Sequence, residues 1–315
     1  MAIPLLHRTL LLAVSALLLA APSFACTWDA NGGEAGHSEE TGQAEETGQA
    51  EEGDEGLLAA RSVFGTLEPP SSEALAHPAV LLGREFFWDE RLSADGRTAC
   101  ASCHTREAWG SDRRRGSIDA RGERTARQSQ TVFNSTLQPT LRWLGDRADA
   151  SEQAHGSITG SMGFRSTGEL IPLLLEHGYA PLFQSAFPED AEPLTAENFG
   201  RALEAYQATL VTPAPFDAYL AGEAEALTEV QREGMDLFRE EGDRYVFRTP
   251  MLRNVARTAP YFHDGSVERL RDAVEVMSKV QLGRALTDAG LDALVAFLES
   301  LTGEVPEHYA PPGKD

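Results

Sequence analysis

The sequence predicts an all-α fold, on three observations. Apolar residues recur at spacings of three and four through most of the chain beyond residue 77, as in Leu270, Ala273, Val274 and Met277. Helix-start signals stand in front of such runs: a proline after His77, and Thr228 followed three residues later by Gln231, a capping box. No stretch alternates apolar and polar residues as a half-buried strand does. The helical segments divide into two compact units joined near 214–227.

The elements follow in order. His77-Pro78 opens a helix through Phe86 and Phe87, with Val80, Leu81, Arg84 and Phe87 at helical spacing and His77 as a capping or surface residue. Trp88 to Ser93 and a turn through Gly96 lead to Cys100. Residues 105–165 have little periodicity and many glycines and serines, which predicts loop. Helices return over 167–177, with Leu170, Leu173, Leu174 and His177, and over about 195–211, with Phe199, Leu203, Tyr206 and Leu210. Pro213 and Pro215 break the chain. The helix from Thr228 turns Val230, Leu237 and Phe238 inward. Ser266 is expected to cap the helix carrying Leu270 to Met277, and the last helix carries Leu291, Leu294, Val295, Leu298 and Leu301.

The first 57 residues are of another kind. Residues 1–25 read as a signal peptide: His7-Arg8, an apolar run from Leu10 to Ala21, and the small-residue site Ser23-Phe24-Ala25. Cys26 then stands where a lipid anchor would be attached, giving a possible membrane tether, although the residues before it lack the aliphatic start of a lipidation signal; an ordinary cleavage is the other reading. Residues 26–57 form an acidic low-complexity linker in which EETGQA is repeated from Glu39 to Ala50. The whole chain has a formal net charge of −22, which argues against nucleic acid as a partner.

Cys100-Ala101-Ser102-Cys103-His104 is a CxxCH motif, the attachment signature of a c-type haem. Two thiols three residues apart can each form a thioether to one porphyrin, and the next histidine can give its imidazole to the iron as proximal ligand. A disulfide and half of a zinc site are the other readings of the cysteine pair; a structural zinc takes four ligands, and the third cysteine of the chain is the distant Cys26. The many arginines around the motif could pair haem propionates or an acidic redox partner.

Several long stretches resemble the bacterial di-haem cytochrome c peroxidases and the related di-haem enzymes that mature methylamine dehydrogenase. They are LGREFFWDERLSADGRTACASCH (82–104), RQSQTVFN (127–134), AENFGRALEAYQATLVTP, FDAYLAGEAEALTEVQREGMDLF, YVFRTPMLRNVARTAPYFHDGSVERLRDAVEVM (245–277) and QLGRALTDAGLDALVAFLESLTG (281–303). The resemblance implies two cytochrome c-like domains, here 58–220 with haem c and 221–315 shortened and without CxxCH. It implies an oxidoreductase that reduces hydrogen peroxide, with electrons from a small periplasmic donor, a cytochrome c or a copper protein. It places a pocket glutamine at Gln153, an inter-haem tryptophan at Trp143, an axial methionine for a second haem at Met277, and a possible calcium site at Gln128, Thr258 and Pro260.

The sequence also departs from that pattern. Only Arg239 to Arg244 separate the helix ending in Leu237-Phe238 from Tyr245, so the second haem motif is missing and Met277 reads as a core residue. The family's distal histidine position is Ala120, its distal glutamate position Ser161 or Gly163, and no acid lies between Glu152 and Glu169. Proton transfer would fall to water, His155 or an arginine. His155 and Met162 are the candidates for a sixth iron ligand; with either, the protein would be a non-catalytic mono-haem electron carrier or redox sensor. His263 resembles a structural loop histidine, and His177 and His308 show no partner pattern.

Overall fold

α1 (Ser72–Leu75) and α2 (Pro78–Trp88) lead into the first half of a computed structural model that describes residues 57–58, 60–61, 65–242, 251–281 and 283–313. The signal peptide, Cys26, the acidic linker and the segment joining Gly242 to Met251 lie outside the described residues. The remaining helices are α3 (Ala150–Thr159), α4 (Leu170–Glu176), α5 (Ala180–Ala186), α6 (Ala196–Ala208), α7 (Pro215–Ala221), α8 (Glu229–Gly242), α9 (Leu270–Gln281) and α10 (Asp288–Ser300). No strand occurs among the described residues, only four isolated bridges at loop closures. The fold is all-α, as the periodicity predicts.

α2 starts because Pro78 fits a first helical turn and the His77 ring nitrogen accepts from the Ala79 amide at 3.3 Å. It buries Leu82, Phe86 and Phe87 against α6, which Thr195 caps through the Asn198 amide. The helices meet at Gly83: a Cβ there would lie 1.9 Å from the Ala202 carbonyl oxygen. Phe86 joins Phe199, Phe183 and Tyr179 at ring distances of 4.7–5.4 Å, the centre of the first core.

The second half repeats the device. Thr228 and Gln231 form the expected reciprocal capping box on α8. α8 crosses α10 at Gly234, where a Cβ would again lie 1.9 Å from a carbonyl oxygen, that of Ala293. Met235, Phe297 and Leu298 build the second core with Phe216 and Leu220 of α7. Each half also holds an asparagine in the left-handed region, Asn134 (φ 58°) and Asn254 (φ 62°). Both side-chain amides donate to one buried hydroxyl, Thr212 Oγ1, at 2.7 and 2.8 Å. Chain segments are exchanged across this joint: Ala60 packs in the second core and Tyr309 in the first.

Several local expectations need correction. The stretch 105–165 contains α3, which Asp149 caps through the Glu152 amide; its buried positions Ala150, Ala154 and Ile158 do recur every four residues, but two of them are alanines and the signal is weak. The helix expected over 167–177 is divided into a 3-10 turn, Thr167–Glu169, and α4. α5 was not anticipated. Pro215 does not end a segment but begins α7, again at a first-turn position. Val230 is 49% exposed and does not belong to the inner face of α8. Ser266 caps nothing: its amide donates to Asp264 Oδ1 in a turn, and α9 begins at Leu270.

Candidate functional site

The CxxCH motif begins as a single 3-10 turn, Cys100–Ser102, following α2 and the Glu90–Leu92 turn. The Ser102 hydroxyl oxygen accepts from the Ala99 amide at 3.0 Å, and the amides of Cys103 and His104 both return to the Cys100 carbonyl. Cys100 and Ala101 pack against the first core. Both thiols are free, and burial pushes the Cys100 thiol up to about 12 and raises Cys103 as well.

The histidine has a defined tautomer. Its Nδ1 lies 2.8 Å from the Gly110 carbonyl oxygen, which can only accept, so Nδ1 carries the hydrogen and Nε2 keeps its lone pair. Burial also lowers the His104 pKa and favours the neutral ring. Gly110 (φ 73°) closes the tight loop that brings this carbonyl back to the ring. The backbone of His104 is anchored as well, because the buried Tyr309 hydroxyl donates to its carbonyl oxygen. Ser129 Oγ stands 3.4 Å from Nδ1, and Asp112 keeps one buried carboxylate oxygen without a partner while its charge acts on both Cys103 and His104. Two adjacent thiols and an imidazole with an oriented, unprotonated Nε2 are the donor set a covalent haem requires.

The segment 117–120 runs past the motif: Cys103 Sγ is 3.8 Å from the Ile118 carbonyl oxygen. Ala120 in turn meets the 161–163 loop, with its amide donating to the Ser161 carbonyl at 2.9 Å. Gly163 (φ 84°) is so close that a Cβ would lie 3.0 Å from the Ala120 Cβ and 3.3 Å from that of Ala94. The structure thus brings together the two positions, Ala120 and Ser161/Gly163, that the sequence comparison set on one side of the haem. Met162 is buried in the first core, 6% exposed. Gln153 lies on α3 and its amide nitrogen donates to Ser157 Oγ at 3.3 Å. His155 is half-buried on the same helix.

Gln128, Thr258 and Pro260 also converge. The Gln128 amide nitrogen donates to the Thr258 carbonyl oxygen at 3.2 Å, and Pro260 lies beside them on one cavity wall. No carboxylate joins the group, and no cluster of three His, Cys, Asp or Glu suited to a metal occurs among the described residues. That is a poor donor set for calcium. Trp143 donates from Nε1 to the Gln128 carbonyl at 2.9 Å and packs against exposed His263. Met277 does not meet His104; it lines a cavity of about 340 Å³ between the 128–143 segment and helices α8–α10. The arginines are largely engaged within the fold, as Arg106 is with the carbonyls of Pro306 and Tyr309. Gly110, Ser129, Asp112 and Tyr309 carry no sequence signal of their role, which depends on loop closure and on a contact spanning 205 positions.

An all-helical fold around a CxxCH motif with an oriented histidine defines a c-type haem protein. The comparisons give the family. Residues 77–225 match the family model described as di-haem cytochrome c peroxidase. The chain is 35% identical over 272 residues to cytochrome c551 peroxidase of Pseudomonas aeruginosa, covering 71% of this chain and 79% of that protein. It is 28% identical to the methylamine utilization protein MauG of Methylophilus methylotrophus, over 78% and 89% of the two chains. Among solved structures, a MauG-like protein associated with microbial copper homeostasis superposes with a TM-score of 0.68 at 25% identity, over 79% of this chain and 98% of that one. The di-haem peroxidase BthA of Burkholderia thailandensis shares the fold at 19% identity and a TM-score of 0.61, over 80% and 92%. This chain belongs to the di-haem cytochrome c peroxidase family and, with its single CxxCH, is a peroxidase-like haem protein.

Proposed function

We propose that the chain is an exported mono-haem peroxidase, reducing hydrogen peroxide to water with two electrons from a small redox protein and two protons. Cys100 and Cys103 would hold the haem by thioether bonds and His104 would ligate the iron through Nε2. The observation that carries this reading is the Nδ1–H hydrogen bond from His104 to Gly110, which leaves Nε2 unprotonated beside two free thiols. The haem, when bound, would supply redox-active iron chemistry to this site.

The chain's own residues do the rest. The Gly110 carbonyl and the Tyr309 hydroxyl hold His104 from the ring and from the backbone. Ala120 and Gly163 stand where the family resemblance places acid–base groups, and neither can move a proton. Without a carboxylate there, proton movement would pass through water at a cost of about 10²–10⁴ in rate. We read residues 58–220 as the haem-bearing domain and 221–315 as its haemless companion. Export follows from the apolar segment at residues 10–21; among the described residues no helix is long and apolar enough to cross a membrane.

The missing acid also favours a second reading, an electron carrier or redox sensor. Peroxide consumption by the haem-loaded chain, with reduced cytochrome c or a reduced copper protein as donor, separates the two. Turnover that disappears in His104→Gly supports the peroxidase. Donor oxidation that does not depend on peroxide supports the carrier.

A further inference from the structure

We propose that the cavity in the second half binds a neutral, flat aromatic molecule of two or three rings with one hydrogen-bonding edge. Its volume, about 340 Å³, is within the range of small-molecule pockets and roughly twice that of a cavity known to take a single benzene ring. Among the described residues its walls carry no Asp, Glu, Lys, Arg or His, so none of them would compensate a charged ligand. The residues favour rings over alkyl chains: Phe238, Tyr261 and Trp143 offer aromatic faces, and Met251 and Met277 offer polarizable thioethers that pack against them.

Part of the polar lining comes from the first half. Gln130 and Gln138 come from the first-half segment, line the cavity and are half-buried. Their side-chain amides have no hydrogen-bond partner among the described residues, unlike Gln128, whose amide is engaged by Thr258. A hydroxyl or carbonyl on the ligand would satisfy them. The opposite wall is aliphatic, from Val274, Leu294 and Leu298. No cysteine lies in this half, so a ligand would be held without a covalent bond and would exchange. The site is independent of the peroxidase reading, because that reading uses none of its residues.

The test uses the haem-loaded full chain and isothermal titration with 1-naphthol, with naphthalene-1-sulfonate as the charged counterpart. The expected result is saturable binding of one 1-naphthol per chain, with the sulfonate at least tenfold weaker. Ala273→Trp and Leu294→Trp each put bulk into the cavity and should lower 1-naphthol affinity at least tenfold, with haem content and thermal unfolding recorded to confirm folding. Absence of saturable binding, equal affinity for the sulfonate, or unchanged affinity in a folded filled variant would overturn the proposal. The comparison of the two ligands on the unaltered chain decides the matter even if both variants fail to fold.

Discussion

The two halves of the chain are built on one plan and differ in what they carry. Each crosses two helices at a glycine that lets a backbone carbonyl approach to 1.9 Å from where a Cβ would sit: Gly83 on Ala202, and Gly234 on Ala293. Each presents a left-handed asparagine to the same hydroxyl of Thr212. The first half then spends its loops on CxxCH and on the Gly110 and Tyr309 contacts that orient His104. The second half has no cysteine and keeps a cavity instead. The difference teaches that helix crossing and capping are common to the two halves, whereas the cysteine pair belongs to one of them.

The comparison can be broken at its strongest point first. Replacing Cys100 and Cys103 together by alanine is expected to abolish haem that survives denaturing electrophoresis, because the second half offers no thiol to replace them. Residual covalent haem would mean that an anchor exists elsewhere.

The shared device is next. Gly83→Ala and Gly234→Ala should each destabilise by about 4 kcal/mol, because the obstacle is backbone and the helices must move apart. Urea unfolding of the two variants measures this. Similar losses support the parallel, and a neutral Gly234→Ala would break it.

Thr212→Val should cost about 2 kcal/mol, since it leaves two buried asparagine amides short of a bond. It should also separate the unfolding of the halves, which calorimetry would record as a second transition.

The smallest effect concerns the first half alone. The Tyr179 hydroxyl donates to Asp89 at 2.7 Å, and Arg91 pairs the same carboxylate. Burial raises the Asp89 pKa, but the bonds from Arg91 and Tyr179 outweigh it and leave the group below the usual carboxylate range. A lowered folded pKa stabilises above the unfolded value and is lost as pH falls through the folded one. Tyr179→Phe should therefore cost about 1 kcal/mol at neutral pH and less in acid, below pH ~3. Thermal unfolding at the two pH values checks it, and an equal loss at both would contradict it.

Much of this was legible in the sequence. α2, α6, α8 and α10 carry several apolar turns and a cap, so period and start signal agree. α3 buries two alanines and one isoleucine, a weak apolar stripe, and α7 starts on a proline that usually marks a break, so both were missed. For the site, CxxCH is local and was read directly. The tautomer of His104 depends on a glycine-closed loop and its backbone anchor on Tyr309, 205 positions away, and neither leaves a periodic trace. The unpaired cavity was foreshadowed only by a missing motif between Arg239 and Arg244.

The central claim is one haem, in the first half, with an open position on its iron. Pyridine haemochrome quantitation joined to the EPR spectrum of the oxidised protein tests it most directly. The account predicts one covalent haem per chain and a high-spin ferric signal that changes when peroxide is added. Two haems per chain, or a low-spin signal indifferent to peroxide in both oxidation states, would contradict it.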